Sequence, residues 1–278
     1  MGDAQEYLRF EVIGSVEHCE APLLVHVPHA ARHIPVEIRP SLLLSDAELE
    51  IEQSRVTDHL TDQLFGPAAR GGVCFVNRIS RLVFDPERFR SDEDEVMASR
   101  GVGAVYFGTS DGRALRSPAF SREERESILR TFYDPYASAV TDIVDALLAR
   151  FGRCMIVDGH SYPSQPFSWE LRARAPRPEV DLGTDAFHTP PELVSDLEAL
   201  LKGRGVSFAK DVPFAGSYVP LEHLNKDRRV ASVMLELRRD TYCYEDSGER
   251  LHMRCIDTSR TFWTSARSRS VFLNLRTT

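Results

Sequence analysis

Four short apolar runs, at residues 23–27, 73–76, 154–157 and 232–237, each enter a polar segment bearing glycine or proline. Such runs read as strands buried on both faces. Between them lie helix patterns with marked starts. Ser45 with Glu48 and Ser121 with Glu124 form S-x-x-E capping boxes, and Thr189 with Glu192 repeats the box with Pro190 at the first helical position. From Leu129 to Leu148 apolar residues recur at helical spacing until Gly152 ends the pattern, and Pro135 predicts a kink or a split within it. Strand alternating with helix predicts an α/β fold, a mainly parallel or mixed sheet with helices on both faces, whose ligands collect at the carboxyl ends of strands.

Charge and composition narrow the function. The formal net charge of -8 disfavours nucleic acid and anionic membrane as partners. No stretch reaches the length of an apolar membrane span, and the amino terminus lacks a leader pattern, so a cytoplasmic protein is expected. Five scattered cysteines without a CxxC spacing fit reduced thiols, with Cys74 and Cys154 as small core residues. The absence of a linker-like stretch or repeat predicts one domain over residues 1–278, with 246–278 docking on it as a helix or strand.

Chemistry-bearing residues stand at the run ends. His29 follows the first run in LLVHVPHAARHIP, and His160 follows the third in CMIVDGHS, where Gly159 reads as a tight turn. Two imidazoles on one rim suit zinc, whose catalytic sites need three protein ligands and one open position. The last run, SVMLELRRDTY, holds Glu236 on the strand face of Met234 and Arg238. A carboxylate there is either one half of a structural Glu–Arg pair or a catalytic base.

Taken in order, LLVHVPHAARHIP, VTDHLTDQLF, NRISRLVFDPERFR, GVGAVYFGTSDGRALR, the segment ending in CMIVDGHSYPS, DLGTD, PFAGSYVP and VMLELRRDTYCYE resemble the N-formylglutamate amidohydrolase family over about residues 22–245. The resemblance implies a three-layer fold like that of the zinc exopeptidases. It implies one Zn2+ per chain on His29, His160 and Asp58, with Asp62, one helical turn on, as the alternative to Asp58. It further implies Glu236 as general base and acid toward a metal-activated water, Arg81 at the oxyanion, and Arg88, with Arg238 as a third choice, on the substrate carboxylate. Each arginine has a structural alternative, a pair with Asp85, Glu87 or Asp240.

The implied substrate is a small N-acyl amino acid such as N-formylglutamate, as in histidine breakdown. One departure bears on it: Glu87-Arg88 stands where family members often carry Asn-Arg, which weakens attraction for a dianion. A carboxypeptidase or amidase taking a larger acyl group, and a non-catalytic binding protein retaining the fold, are the competing readings. GTSDGR is expected as a loop near the site and PFAGSY as part of the pocket rim, while His26, His33, His59, His188 and His223 are expected around the site or at the surface.

Overall fold

A computed structural model describes residues 8–251. Its strands are β1 (Phe10–Ile13), β2 (Leu23–Val27), β3 (Val73–Asn77), β4 (Cys154–Tyr162), β5 (Val180–Gly183), β6 (Phe208–Lys210) and β7 (Val230–Arg238). They form one mixed sheet in the order β1-β3-β2-β4-β7-β5-β6. The centre is parallel; β1 runs against β3, and β5 runs against β7. The helices are α1 (Asp46–Val56), α2 (Thr61–Phe65), α3 (Arg122–Ile128), α4 (Asp134–Phe151) and α5 (Pro191–Lys202).

Period-two alternation sorts the strands onto two cores. Leu24, Phe75, Cys154 and Ile156 pack with Leu129, Tyr136, Val140 and Val144 from the α3–α4 side. Leu23, Val25, Val157 and Val233 pack with Phe65 of α2 and with Leu193 and Leu197 of α5 on the opposite side. These are the expected three layers.

The boxes at Ser45 and Ser121 form as predicted. The one at Thr189 does not: α5 starts one residue late, with Pro190 as its N-cap, because the Thr189 hydroxyl donates to the Ser232 carbonyl at 2.7 Å instead. The predicted helix divides at Pro135: the chain runs from α3 through a π-helical turn at Leu129–Tyr133 and then into α4, with Pro135 in the first turn of α4, where a missing N–H is tolerated.

The edge strands β1 and β6, and β5 next to β6, were not marked by apolar runs, since they are short and carry Glu11, Lys210 and Asp181. β4 also runs past its predicted end. All nine of its residues pair with β7, so Asp158, Gly159 and His160 are strand residues and Gly159 makes no turn. Gly159 is needed for close approach, because a Cβ there would lie 2.7 Å from the Phe65 ring. Gly159→Ala should therefore cost about 1–3 kcal/mol through overpacking, read as a lower urea midpoint at unchanged slope. An unchanged midpoint would mean that Phe65 yields freely.

Of the predicted tail, residues 252–278 lie outside the described residues. Within 246–251, Ser54 Oγ donates to the Asp246 carbonyl and Leu251 N–H donates to the Tyr242 carbonyl at 3.0 Å, so this stretch folds back on the sheet's carboxyl side. Among the described residues no helix is long and apolar enough to cross a membrane.

Candidate active site

The face that packs on α4 carries the site. In β4, Ile156, Asp158 and His160 share it; in β7, Ser232, Met234 and Glu236 stand beside them in register. His160 is thus the neighbour of Glu236, and Asp181 of β5 is the neighbour of Glu236 on its other side. His29 lies two residues past β2, and Asp58 follows α1, its N–H donating to the His29 carbonyl at 3.0 Å.

Three donor atoms converge there. His160 Nδ1 is 3.3 Å from His29 Nδ1 and 3.2 Å from Asp58 Oδ2, and His29 Nδ1 is 3.7 Å from the same oxygen. Ligands about 2.0–2.1 Å from a tetrahedral zinc stand roughly 3.3 Å apart, so this spacing fits the ion. The remaining ring nitrogens are tied back by carboxylates: His29 Nε2 lies 2.9 Å from Asp85, and His160 Nε2 lies 3.0 Å from Asp158 and 3.0 Å from Glu87. Carboxylates in this place fix the tautomer that leaves Nδ1 free to ligate.

Charge balance holds the acids ionised. Burial opposes a charge on Asp58, but His160, His29 and Arg239 outweigh it and keep its carboxyl well below the usual range. Burial is likewise overcome at Asp85 by His29 and Arg81, and at Asp158 by His160 and His26. Without a metal, His160 is held well above its ordinary value, where Glu87, Asp158 and Asp58 outweigh burial. Glu236 behaves differently: burial pushes its carboxyl up to about 8. Its Oε2 is buried and has no hydrogen-bond partner among the described residues.

These groups open on a cavity of about 860 Å³. Phe214, Gly216 and Tyr218 of PFAGSY line it, as expected, and so do Arg81 and Arg88. Arg81 donates to Asp85 at 2.8 Å and to the Tyr106 hydroxyl at 3.1 Å. Asp62 stays outside the cluster, paired at 2.9 Å with Arg78. Arg238 does not line the cavity; it donates to Asp240 at 2.7 Å and to the Arg177 carbonyl. The reason is local. Arg238 is the last strand residue, paired with Tyr162, and its guanidinium is drawn to Asp240 and the Arg177 carbonyl; the chain then turns into a 3₁₀ segment at Arg239–Thr241, where the strand's alternation ends. Arg239 takes the inward place, donating to Asp58 Oδ1 at 2.9 Å and to the Ser161 carbonyl at 3.1 Å.

GTSDGR lies beside the site without lining the cavity: the Ser110 carbonyl accepts at 3.0 Å from the N–H of Ser168, which stands between the lining residues Phe167 and Trp169, while Glu52 accepts from the Ser110 hydroxyl at 2.7 Å and Glu48 accepts from Arg113 at 2.7 Å.

The comparisons with known proteins meet this geometry. The sequence profile of N-formylglutamate amidohydrolase matches residues 21–243. The chain belongs to the N-formylglutamate amidohydrolase family. Membership places it among amide-bond hydrolases. Among curated relatives of the family, the N-formylglutamate deformylase of Pseudomonas aeruginosa is 28% identical over 243 residues, covering 84% of this chain and 86% of that protein. The N-formylglutamate deformylase of Pseudomonas putida is 27% identical over 81% of this chain and 82% of its own length. The crystal structure of N-formylglutamate amidohydrolase from Ralstonia eutropha superposes with a TM-score of 0.77 at 21% identity, covering 96% of this chain and 98% of that one. It establishes the shared fold.

Within this family frame, sequence reasoning missed Arg239 and the work of Asp85, Asp158 and His26. Asp158 had a usable mark, its period-two spacing from His160. His26 joins Asp158 at 2.9 Å and the Tyr136 hydroxyl at 2.6 Å, and stacks on Tyr218 at 4.2 Å. His26, His59, His188 and His223 are all buried, and only His33 of the five is exposed.

Proposed function

We propose that this chain hydrolyses the amide bond of a small N-acyl amino acid, N-formylglutamate being the first to test, with Zn2+ held by His29, His160 and Asp58. The observation that carries the reading is the convergence of three ligand atoms beside the unpartnered carboxylate oxygen of Glu236, open to one cavity. A zinc ion there supplies Lewis-acid activation of the amide carbonyl and of water.

The chain's own groups do the rest. Glu236 accepts a proton from the attacking water and returns it to the departing nitrogen, so that carboxylic acid and amine leave together. Arg81, rigidly held by Asp85 and Tyr106, points its charge at the oxygen that becomes negative. Arg88 takes the substrate carboxylate, for its buried Nε has no hydrogen-bond partner among the described residues. Arg238, bound to the Arg177 carbonyl and absent from the cavity lining, is left without a role in this scheme. The named activities of the two Pseudomonas relatives support the substrate class. Buried free thiols at Cys19, Cys74, Cys154 and Cys243 support a reducing, cytoplasmic setting. Among the described residues a single sheet carries the site, which supports one catalytic domain.

Metal removal tests the proposal. The purified chain should carry a single zinc, hydrolyse N-formylglutamate or a related N-acyl amino acid, lose that activity on chelation and regain it on adding zinc. Hydrolysis that persists in protein shown by elemental analysis to hold no metal would sink it.

A further inference from the structure

The cavity holds an imbalance that the reaction does not explain. Four guanidiniums line it, from Arg81, Arg88, Arg90 and Arg239. Three are committed to acids: Arg81 to Asp85 at 2.8 Å, Arg90 to Asp134 at 2.7 Å and Glu126 at 2.6 Å, and Arg239 to Asp58 at 2.9 Å. Arg88 stands 3.8 Å from Asp85, with its Nε unpartnered among the described residues. Among the described residues the site thus offers one available guanidinium, enough for one ligand carboxylate.

Glu87, the next residue, has the opposite surplus. Its carboxylate approaches three ring nitrogens, each of which has a single proton to give and already faces another acid. His29 Nε2 is 2.9 Å from Asp85 and 3.8 Å from Glu87; His26 Nδ1 is 2.9 Å from Asp158 and 3.8 Å from Glu87. His160 Nε2 lies 3.0 Å from both Asp158 and Glu87. Glu87 lines the cavity and keeps part of its side chain accessible, so its acceptor capacity faces whatever binds there. A ligand's second carboxylate would meet a like charge whose histidine partners are shared with Asp85 and Asp158, whereas an amide or another donor would meet an acceptor.

We propose that Glu87 is a specificity-determining residue, selecting N-acyl amino acids whose side chain is neutral or donates hydrogen bonds over those with a second carboxylate. This rests on reading the cavity as an N-acyl amino acid site, and it narrows that reading to a substrate class.

N-formylglutamine and N-formylglutamate, nearly identical in shape, separate the two by charge. In a Glu236→Gln background, which slows turnover, calorimetry on the zinc-loaded full chain should show N-formylglutamine bound at least about tenfold more tightly. Adding Glu87→Gln should erase or reverse that preference, and adding Glu87→Asp should keep it. Equal or glutamate-favoured binding with Glu87 intact overturns the proposal, as does a preference that survives Glu87→Gln, or binding of neither compound. Thermal melts identify a misfolded Glu87→Gln protein, in which case the retained preference of Glu87→Asp and its loss in Glu87→Ala decide. The parent chain's hydrolysis of the same pair is scored separately: a binding preference without turnover supports the selectivity and overturns the amide-hydrolase reading.

Discussion

Glu236→Gln should lower turnover by about 10²- to 10⁴-fold, the usual contribution of a positioned proton carrier, while zinc content and the folded state stay those of the parent. Glu236 sits on β7 in register with His160, is buried, and keeps one oxygen without a partner among the described residues. Burial, with Asp58 and Asp181 adding to it, pushes its carboxyl up to about 8, close to where a group can both take and release a proton near neutrality. Gln keeps the shape and removes the proton chemistry. It also removes the charge of a buried carboxyl one of whose oxygens has no donor among the described residues, so the melting temperature should hold or rise. The measurement is kcat on the best substrate together with metal content. Turnover close to the parent's on every accepted substrate would rule Glu236 out as the proton carrier.

The parts legible in the sequence are those set by local pattern. The four central strands are continuous apolar runs, and two of the three capping boxes are fixed within four residues of chain, so these were readable without tertiary knowledge. His29, His160 and Glu236 stood out because polar residues ending or interrupting an apolar run must have partners. What stayed hidden depends on pairing across the sheet. β4 reads as ending at Val157, since Asp-Gly-His-Ser resembles a turn; only β7 lying alongside makes it a strand through Tyr162. Thr189 lost its capping role to a carbonyl 43 residues away in sequence. Arg238 and Arg239 exchanged places because the end of a strand is set by where its neighbour stops, and neither spacing nor composition records that. Glu87 was visible as an odd residue, but its position among three histidines belongs to the fold alone.

The third ligand carries the other large effect. Asp58→Asn should weaken zinc binding by more than the about 10- to 100-fold typical of altering a residue that merely supports a ligand, and Asp62→Asn should leave it unchanged. Asp58 Oδ2 is the oxygen that faces both imidazoles, while Asp62 spends its charge on Arg78, which Glu11 also holds. Asp58 has a second duty that must be separated from the first. Its Oδ1 accepts from Arg239, which is itself buried, and removing one member of a buried ion pair costs about 3–5 kcal/mol. Asp58→Asn should therefore lose stability as well as metal. Arg239→Gln provides the separation: it breaks the same pair and lowers stability, yet leaves the Asp58 carboxylate in place, so zinc should still bind. Competition with a chromophoric chelator, on protein shown to be folded by circular dichroism, gives the affinities. If Asp58→Asn and Asp62→Asn held zinc equally well, the ion would have to sit elsewhere among the carboxylates around His29 and His160, and Asp58 would be a purely structural partner of Arg239.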